Sequence, residues 1–225
     1  MIEPHPQTVG APATRVRVKI CGITRREDAL AAAAAGADAI GLVFWPRSRR
    51  FVTPDVAAGI VAVLPPLVSA VGVFVDPDDR TLDEVLSSVP LDVLQFHGDE
   101  TPHRCRAVGR RYVKAVRVRD GSEIEPAARI HAQASALLLD TYRAGSPGGT
   151  GETFDWSMVP HGVGLPLIVA GGLRPDNVGA AVAALRPHAV DVSGGVESAP
   201  GVKDVGKITE FMREVQRATT RELAV

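Results

Sequence analysis

Four features of the chain have residue types and spacing that could do chemistry: Cys21 followed by Gly22, Asp140 closing the apolar run LLLD, the arginines at 47, 49 and 50, and two glycine turns near the C-terminus. A thiolate is a base or nucleophile when neighbouring positive charge or a helix N-terminus lowers its pKa. A carboxyl in a partly apolar setting can keep its proton and serve as a general acid. Arg50 and its neighbours suit a bidentate clamp on a carboxylate. Each residue also has a plainer reading: Cys21 as a small packed side chain, Asp140 as a loop cap, the arginines as a solvated face. His97 reads as a pocket residue that orients a loop, and Cys105, on a predicted helix, as structural.

The glycine turns lie within PLIVAGGLRPDNV and HAVDVSGGVE. In the first, an apolar run meets Gly171 and Gly172 before Pro175, Asp176 and Asn177 open a helix. In the second, a strand over 189–192 runs into Ser193, Gly194 and Gly195. Glycines admit an anion close to the backbone, and free N–H groups near a helix start bind it without side-chain charge. One such turn is only a tight turn. Two in tandem match the loops after strands seven and eight of a (β/α)8 barrel, which commonly hold a phosphate.

Six more strand–helix units must then precede them. Val16, Val18 and Ile20 alternate with Arg15, Arg17 and Lys19, predicting a first strand that ends at Cys21. Thr24 is expected to cap a helix over 25–36, with Glu27 and Asp28 in its first turn. Further strands are predicted over 39–44, 69–75, 91–96, 112–116, 136–139 and 167–170. The helices between them open at Pro54, near Arg80, at Thr101–Pro102 and near Ser122. A last helix over 205–217 covers the closing strand, and 218–225 is expected to fray. The strand ends carry Cys21, the arginine loop, Asp76, His97, Asp140, Gly172 and Ser193, and in a parallel barrel these surround the active site. The loop TYRAGSPGGTGETFDW, with Gly145, Gly148, Gly149 and Gly151, reads either as a lid over that site or as a surface connection.

At 225 residues, 45% hydrophobic and 23% charged, the chain suits one α/β domain, a single TIM barrel over 15–225 behind a flexible extension over 1–14. That extension, with Pro4, Pro6 and Pro12, reads as neither a signal peptide nor a membrane span. A net charge of -1 gives no reason to expect nucleic acid or an anionic membrane as partner. Two cysteines without metal-ligand spacing indicate neither a disulfide framework nor a metal site, and fit a reducing, cytoplasmic setting.

The segments VKICGIT, GADAIGLVF, VGVFVD, LDVLQFHGDE, LLLDT, GGTGETFDW, AGGLRPDNV and VDVSGGVE together closely resemble the phosphoribosylanthranilate isomerase family, (β/α)8 barrels of tryptophan biosynthesis. The resemblance implies Cys21 as general base, Asp140 as general acid, Arg50 on the anthranilate carboxylate, and Gly171, Gly172, Ser193 and Gly194 on the phosphate with Asp191 in support. It implies an Amadori rearrangement of a small phosphoribosyl substrate without a cofactor, since the substrate's nitrogen is the electron sink. It also implies a monomer or homodimer, and the span from Met1 past an eighth helix is expected to carry this one activity. Gly194 stands where the family usually has a second serine, so a weaker or reshaped phosphate site is expected. Two rivals stand beside this reading: the histidine-pathway isomerase, expected to have an aspartate at position 21, and a phosphate-sugar binder that has lost its chemistry.

Overall fold

Eight short apolar runs form the strands β1 (Arg17–Cys21), β2 (Ala39–Val43), β3 (Ser69–Phe74), β4 (Val93–Phe96), β5 (Tyr112–Val118), β6 (Ala136–Thr141), β7 (Leu167–Val169) and β8 (Ala189–Val192). In the computed structural model, which describes residues 15–141 and 153–223, each strand pairs in parallel with the next. Strand β8 returns to β1 through Arg17↔Ala189 to Ile20↔Val192, closing a (β/α)8 barrel.

Parallel strands need crossovers, and α1 (Arg26–Ala34), α2 (Pro54–Val61), α3 (Asp79–Ser88), α4 (Pro102–Ala107), α5 (Ile124–Ile130) and α6 (Val178–Leu185) supply them, while α7 (Val205–Leu223) follows the last barrel strand. Local chemistry starts several of these. The Thr53 and Thr101 hydroxyls accept from Val56 and Arg104 N–H ahead of a proline in the first turn, and Asp78 accepts from Thr81 N–H.

Side chains alternate between two cores. Ile20, Ile40, Leu42, Phe74, Leu94 and Phe96 point outward and join helix residues such as Ala29, Ile60 and Phe211. A smaller interior cluster of Val113, Ala115, Ala136, Leu138 and Ala170 fills the barrel. Phe44, Phe74, Phe96, Tyr112 and His131 form a row across the outer face, with successive ring centroids 5.3 to 6.3 Å apart.

The structure corrects four expectations. Thr24 is not a cap: Arg25 holds that position without a capping side-chain bond, its guanidinium donating instead to Asp28, and the Thr24 hydroxyl donates to Gly201 O. Among the described residues a 3-10 turn (Trp156–Met158), not an α-helix, lies between β6 and β7, so the alternation is incomplete there. Helix α7 does not stop at residue 217 but continues to Leu223. A hairpin of β9 (Glu197–Ala199) and β10 (Val202–Lys203), absent from the sequence reading, follows β8. No helix among the described residues is long and apolar enough to cross a membrane. The expected extension over 1–14 and the glycine-rich stretch over 142–152 lie outside the described residues.

Candidate active site

The C-terminal ends of the strands open on a cavity of about 440 Å³ lined by Cys21, Arg50, His97, Asp140, Gly171, Gly172, Asp191, Ser193 and Gly194. These candidates read from the sequence border one space, whereas Asp76, also expected at the barrel mouth, does not line it: its N–H donates to Glu100 and its carboxylate accepts from Asp99 N–H. Arg47 and Arg49 do not line it.

Cys21 ends β1 with its side chain inward, among Val43, Val73 and Trp45. Gly41, its register partner on β2, makes room for the thiol, since a Cβ there would lie 2.7 Å from Sγ. Beside the thiol, the Lys19 ammonium donates to Asp191 Oδ1 at 2.8 Å across the β1–β8 pair, both side chains being buried. Positive charge was the expected activator, and Lys19 and Lys203 do pull the thiol down. Burial nonetheless pushes it above its ordinary value, with Asp191 adding to the rise. Lys19 is itself opposed by burial, yet Asp191 and Cys21 hold its ammonium above the ordinary lysine range.

Asp140 lies within β6, which runs two residues further than the sequence suggested. Its Oδ1 accepts from Thr141 N–H at 2.8 Å, and its Oδ2 lies 3.1 Å from His97 Nε2. His97 Nδ1 is in turn 2.9 Å from Gln95 Nε2, so two side chains of β4 and its end orient the carboxyl. The loop bearing His97 is anchored by the buried Glu100, which accepts from Gly98 and Asp76 N–H and pairs with Lys114 at 2.9 Å. Gly171 has φ +78°, and a Cβ there would strike Thr141 and lie 3.0 Å from Asp140 Oδ1. Only glycine lets the turn after β7 close this tightly over the carboxyl.

Arg50 approaches from the loop after β2. Its Nε and Nη2 donate to Glu197 Oε1 and Oε2 at 2.7 and 2.8 Å, a bidentate pair that fixes the plane of the guanidinium. Burial pushes the Glu197 carboxyl up, but Arg50 and Lys203 outweigh it and hold Glu197 below its usual range. The Nη1 of Arg50 has no hydrogen-bond partner among the described residues.

The turn after β7 is ordered by Asn177, whose Oδ1 accepts from Arg174 N–H at 2.7 Å and whose Nδ2 donates to Gly172 O at 3.0 Å. Across the opening, Gly194 starts a 3-10 turn (Gly194–Val196), where a Cβ at Gly195 would collide with Leu173 O. The amides of Gly171, Gly172, Gly194 and Gly195 donate to no acceptor among the described residues. Such a cluster of free N–H groups suits a phosphate.

Sequence reasoning missed Lys19 as a buried partner, along with Gln95, Glu100, Lys114, Glu197 and Lys203. The pair Glu197 and Lys203 had only a partial signal: Pro200–Gly201 marks a turn that sets Ala199 opposite Val202, but a register irregularity then moves Lys203 from Ser198 to Glu197, and spacing does not show it.

A family model described as N-(5'phosphoribosyl)anthranilate (PRA) isomerase matches residues 18–214. The N-(5'-phosphoribosyl)anthranilate isomerase of Pseudomonas putida is 58% identical over 205 residues, covering 91% of this chain and all of that one. A crystal structure of phosphoribosyl anthranilate isomerase from Thermotoga maritima is similar with a TM-score of 0.83 at 42% identity, covering 90% of this chain and 99% of that chain. A structure of the same kind of enzyme in complex with reduced 1-(o-carboxyphenylamino)-1-deoxyribulose 5-phosphate is similar with a TM-score of 0.77 at 39% identity, with the same coverage.

Proposed function

The chain belongs to the N-(5'-phosphoribosyl)anthranilate isomerase family and is an isomerase of tryptophan biosynthesis, and we propose that Asp140 and Cys21 are the acid and base of its Amadori rearrangement. The reaction converts N-(5-phosphoribosyl)anthranilate to 1-(2-carboxyphenylamino)-1-deoxyribulose 5-phosphate. One observation carries the assignment: a carboxyl from β6 and a thiol from β1 open on the same cavity as an arginine and a cluster of free amides. The substrate has an anion at each end, so it would lie with its reacting sugar carbons between these two groups.

In this reading Arg50 takes the anthranilate carboxylate through the edge that Glu197 leaves open. The amides of Gly171, Gly172 and Gly194, with Ser193, take the phosphate. Asp140 gives its proton to the furanose ring oxygen, the C1–O bond breaks, and the anilino nitrogen lone pair forms the protonated Schiff base. His97 and Gln95 hold the carboxyl in place while it loses its proton. The Cys21 thiolate then removes the C2 proton, and the electrons of that bond flow to nitrogen, giving an enolamine that tautomerises to the ketone. Lys19, tethered by Asp191, and the new iminium supply the positive charge that opposes the burial of the thiol. The chain would do this in the cytoplasm as a monomer or homodimer, states that sedimentation distinguishes.

The test is the loss of anthranilate-type fluorescence when purified protein meets freshly formed phosphoribosylanthranilate, with Cys21→Ala and Asp140→Ala alongside. Each variant is expected to lose about 10²- to 10⁴-fold in kcat/KM, the usual contribution of a positioned acid or base. Equal rates in all three proteins would remove the assignment. Turnover of the aminoimidazole substrate of histidine synthesis in a parallel assay would favour the second specificity.

A further inference from the structure

The Lys203 side chain is completely buried. Its ammonium directs three hydrogen bonds: to Cys21 O at 2.6 Å, to Ser193 O at 3.1 Å and to Glu197 Oε1 at 2.8 Å. These acceptors belong to three different parts of the cavity. Cys21 ends β1 and bears the thiol, Ser193 begins the turn after β8, and Glu197 holds Arg50. The β1–β8 ladder ends at Ile20↔Val192, so the carbonyls of Cys21 and Ser193 lie just past the last paired residues of the closing seam. Lys203 bridges them there.

We propose that Lys203 is a positioning residue, an internal staple that sets the thiol of Cys21, the turn at Ser193 and the guanidinium of Arg50 in fixed relation to one another. The hairpin of β9 and β10 exists in this view to deliver the ammonium: Glu197 and Lys203 are cross-strand partners, Gly201 at φ +81° makes the turn, and Lys203 N–H is held by the buried Asp28. A buried ion pair is often replaceable by apolar residues without loss of stability, so a geometric task fits this one better than a stabilising one. Lys203 also pulls the Cys21 thiol down, against burial.

The inference rests on the roles given to Cys21 and Arg50. Lys203→Met and Cys21→Ala are therefore assayed together, with alkylation of Cys21 by iodoacetamide followed by mass spectrometry across pH. In folded Lys203→Met, kcat is expected to fall about 100-fold, as for a misplacement of about 1 Å, with KM raised and the alkylation profile moved to higher pH. Wild-type kcat, KM and alkylation in Lys203→Met, with only a lowered Tm, would overturn the staple while inactive Cys21→Ala kept the base. An active Cys21→Ala would overturn the base instead. Should Lys203→Met not fold, the unaltered protein decides the matter: saturating inorganic phosphate is expected to slow amide exchange at 193–195 and also at Gly22 and over 197–203. Slowing confined to 193–195 would overturn the staple.

Discussion

Gly194 stands where the resemblance implies a serine, and its surroundings define what a serine would do. A Cβ at Gly194 would lie 3.2 Å from Arg50 Nη2 and 4.0 Å from Glu197 Oε2, so the guanidinium must yield by a few tenths of an ångström. The added hydroxyl would offer phosphate one more donor. Gly194→Ser is expected to bind inorganic phosphate about threefold to tenfold more tightly, the range of one net hydrogen bond, while KM improves less because Arg50 is displaced. Titration calorimetry with phosphate checks this, and an unchanged affinity would contradict it. At the same scale, Cys105 stands in contrast to Cys21: it is buried on α4, outside the cavity, and burial pushes its thiol up to about 11.

Among the elements, the row Phe44, Phe74, Phe96 and Tyr112 ties β2 to β5 on the helix side of the barrel, and Phe74 is fully buried at its middle. Phe74→Ala is expected to cost about 3–5 kcal/mol, read as a lowered urea midpoint, with kcat kept where the protein is folded. Strands such as β3 and β8 were legible because barrel strands covered by helices read as short apolar runs. The extension of α7 was not, because Ala218–Thr219–Thr220 looks like a poor helix. The Thr219 and Thr220 hydroxyls instead donate back to Val215 O and Gln216 O, satisfying themselves inside the helix. Cys21 and Asp140 were legible as chemistry because they close apolar runs, and Arg50 because it lies in an arginine-rich loop after one. Their partners were not, since Lys19 reads as one polar residue in a solvated alternation until β8 brings Asp191 across from it.

For the molecule as a whole, the pH dependence of stability has a contributor outside the active site. His131 packs edge-on against Tyr112, its Nδ1 has no partner among the described residues, and burial, aided by Lys114, lowers its pKa to about 4. The folded protein then holds one proton fewer than the unfolded chain between that value and the ordinary imidazole range of about 6.5. Stability from this residue is full above that range and is lost as pH falls toward 4. His131→Gln should flatten the decline in urea midpoint between pH 7 and 5, and an unaltered decline would assign it to other groups.

The seam between β1 and β8 also places the active site in time. Cys21 and Lys203 are separated by 182 residues, so a chain growing at about 5–20 residues per second leaves the ribosome with its thiol unescorted for roughly ten to forty seconds. During that interval no partial barrel can assemble the base, the phosphate turn and the arginine together. Catalytic competence is therefore a signal of completed closure, and the rate at which activity emerges on refolding reports the joining of the first strand to the last.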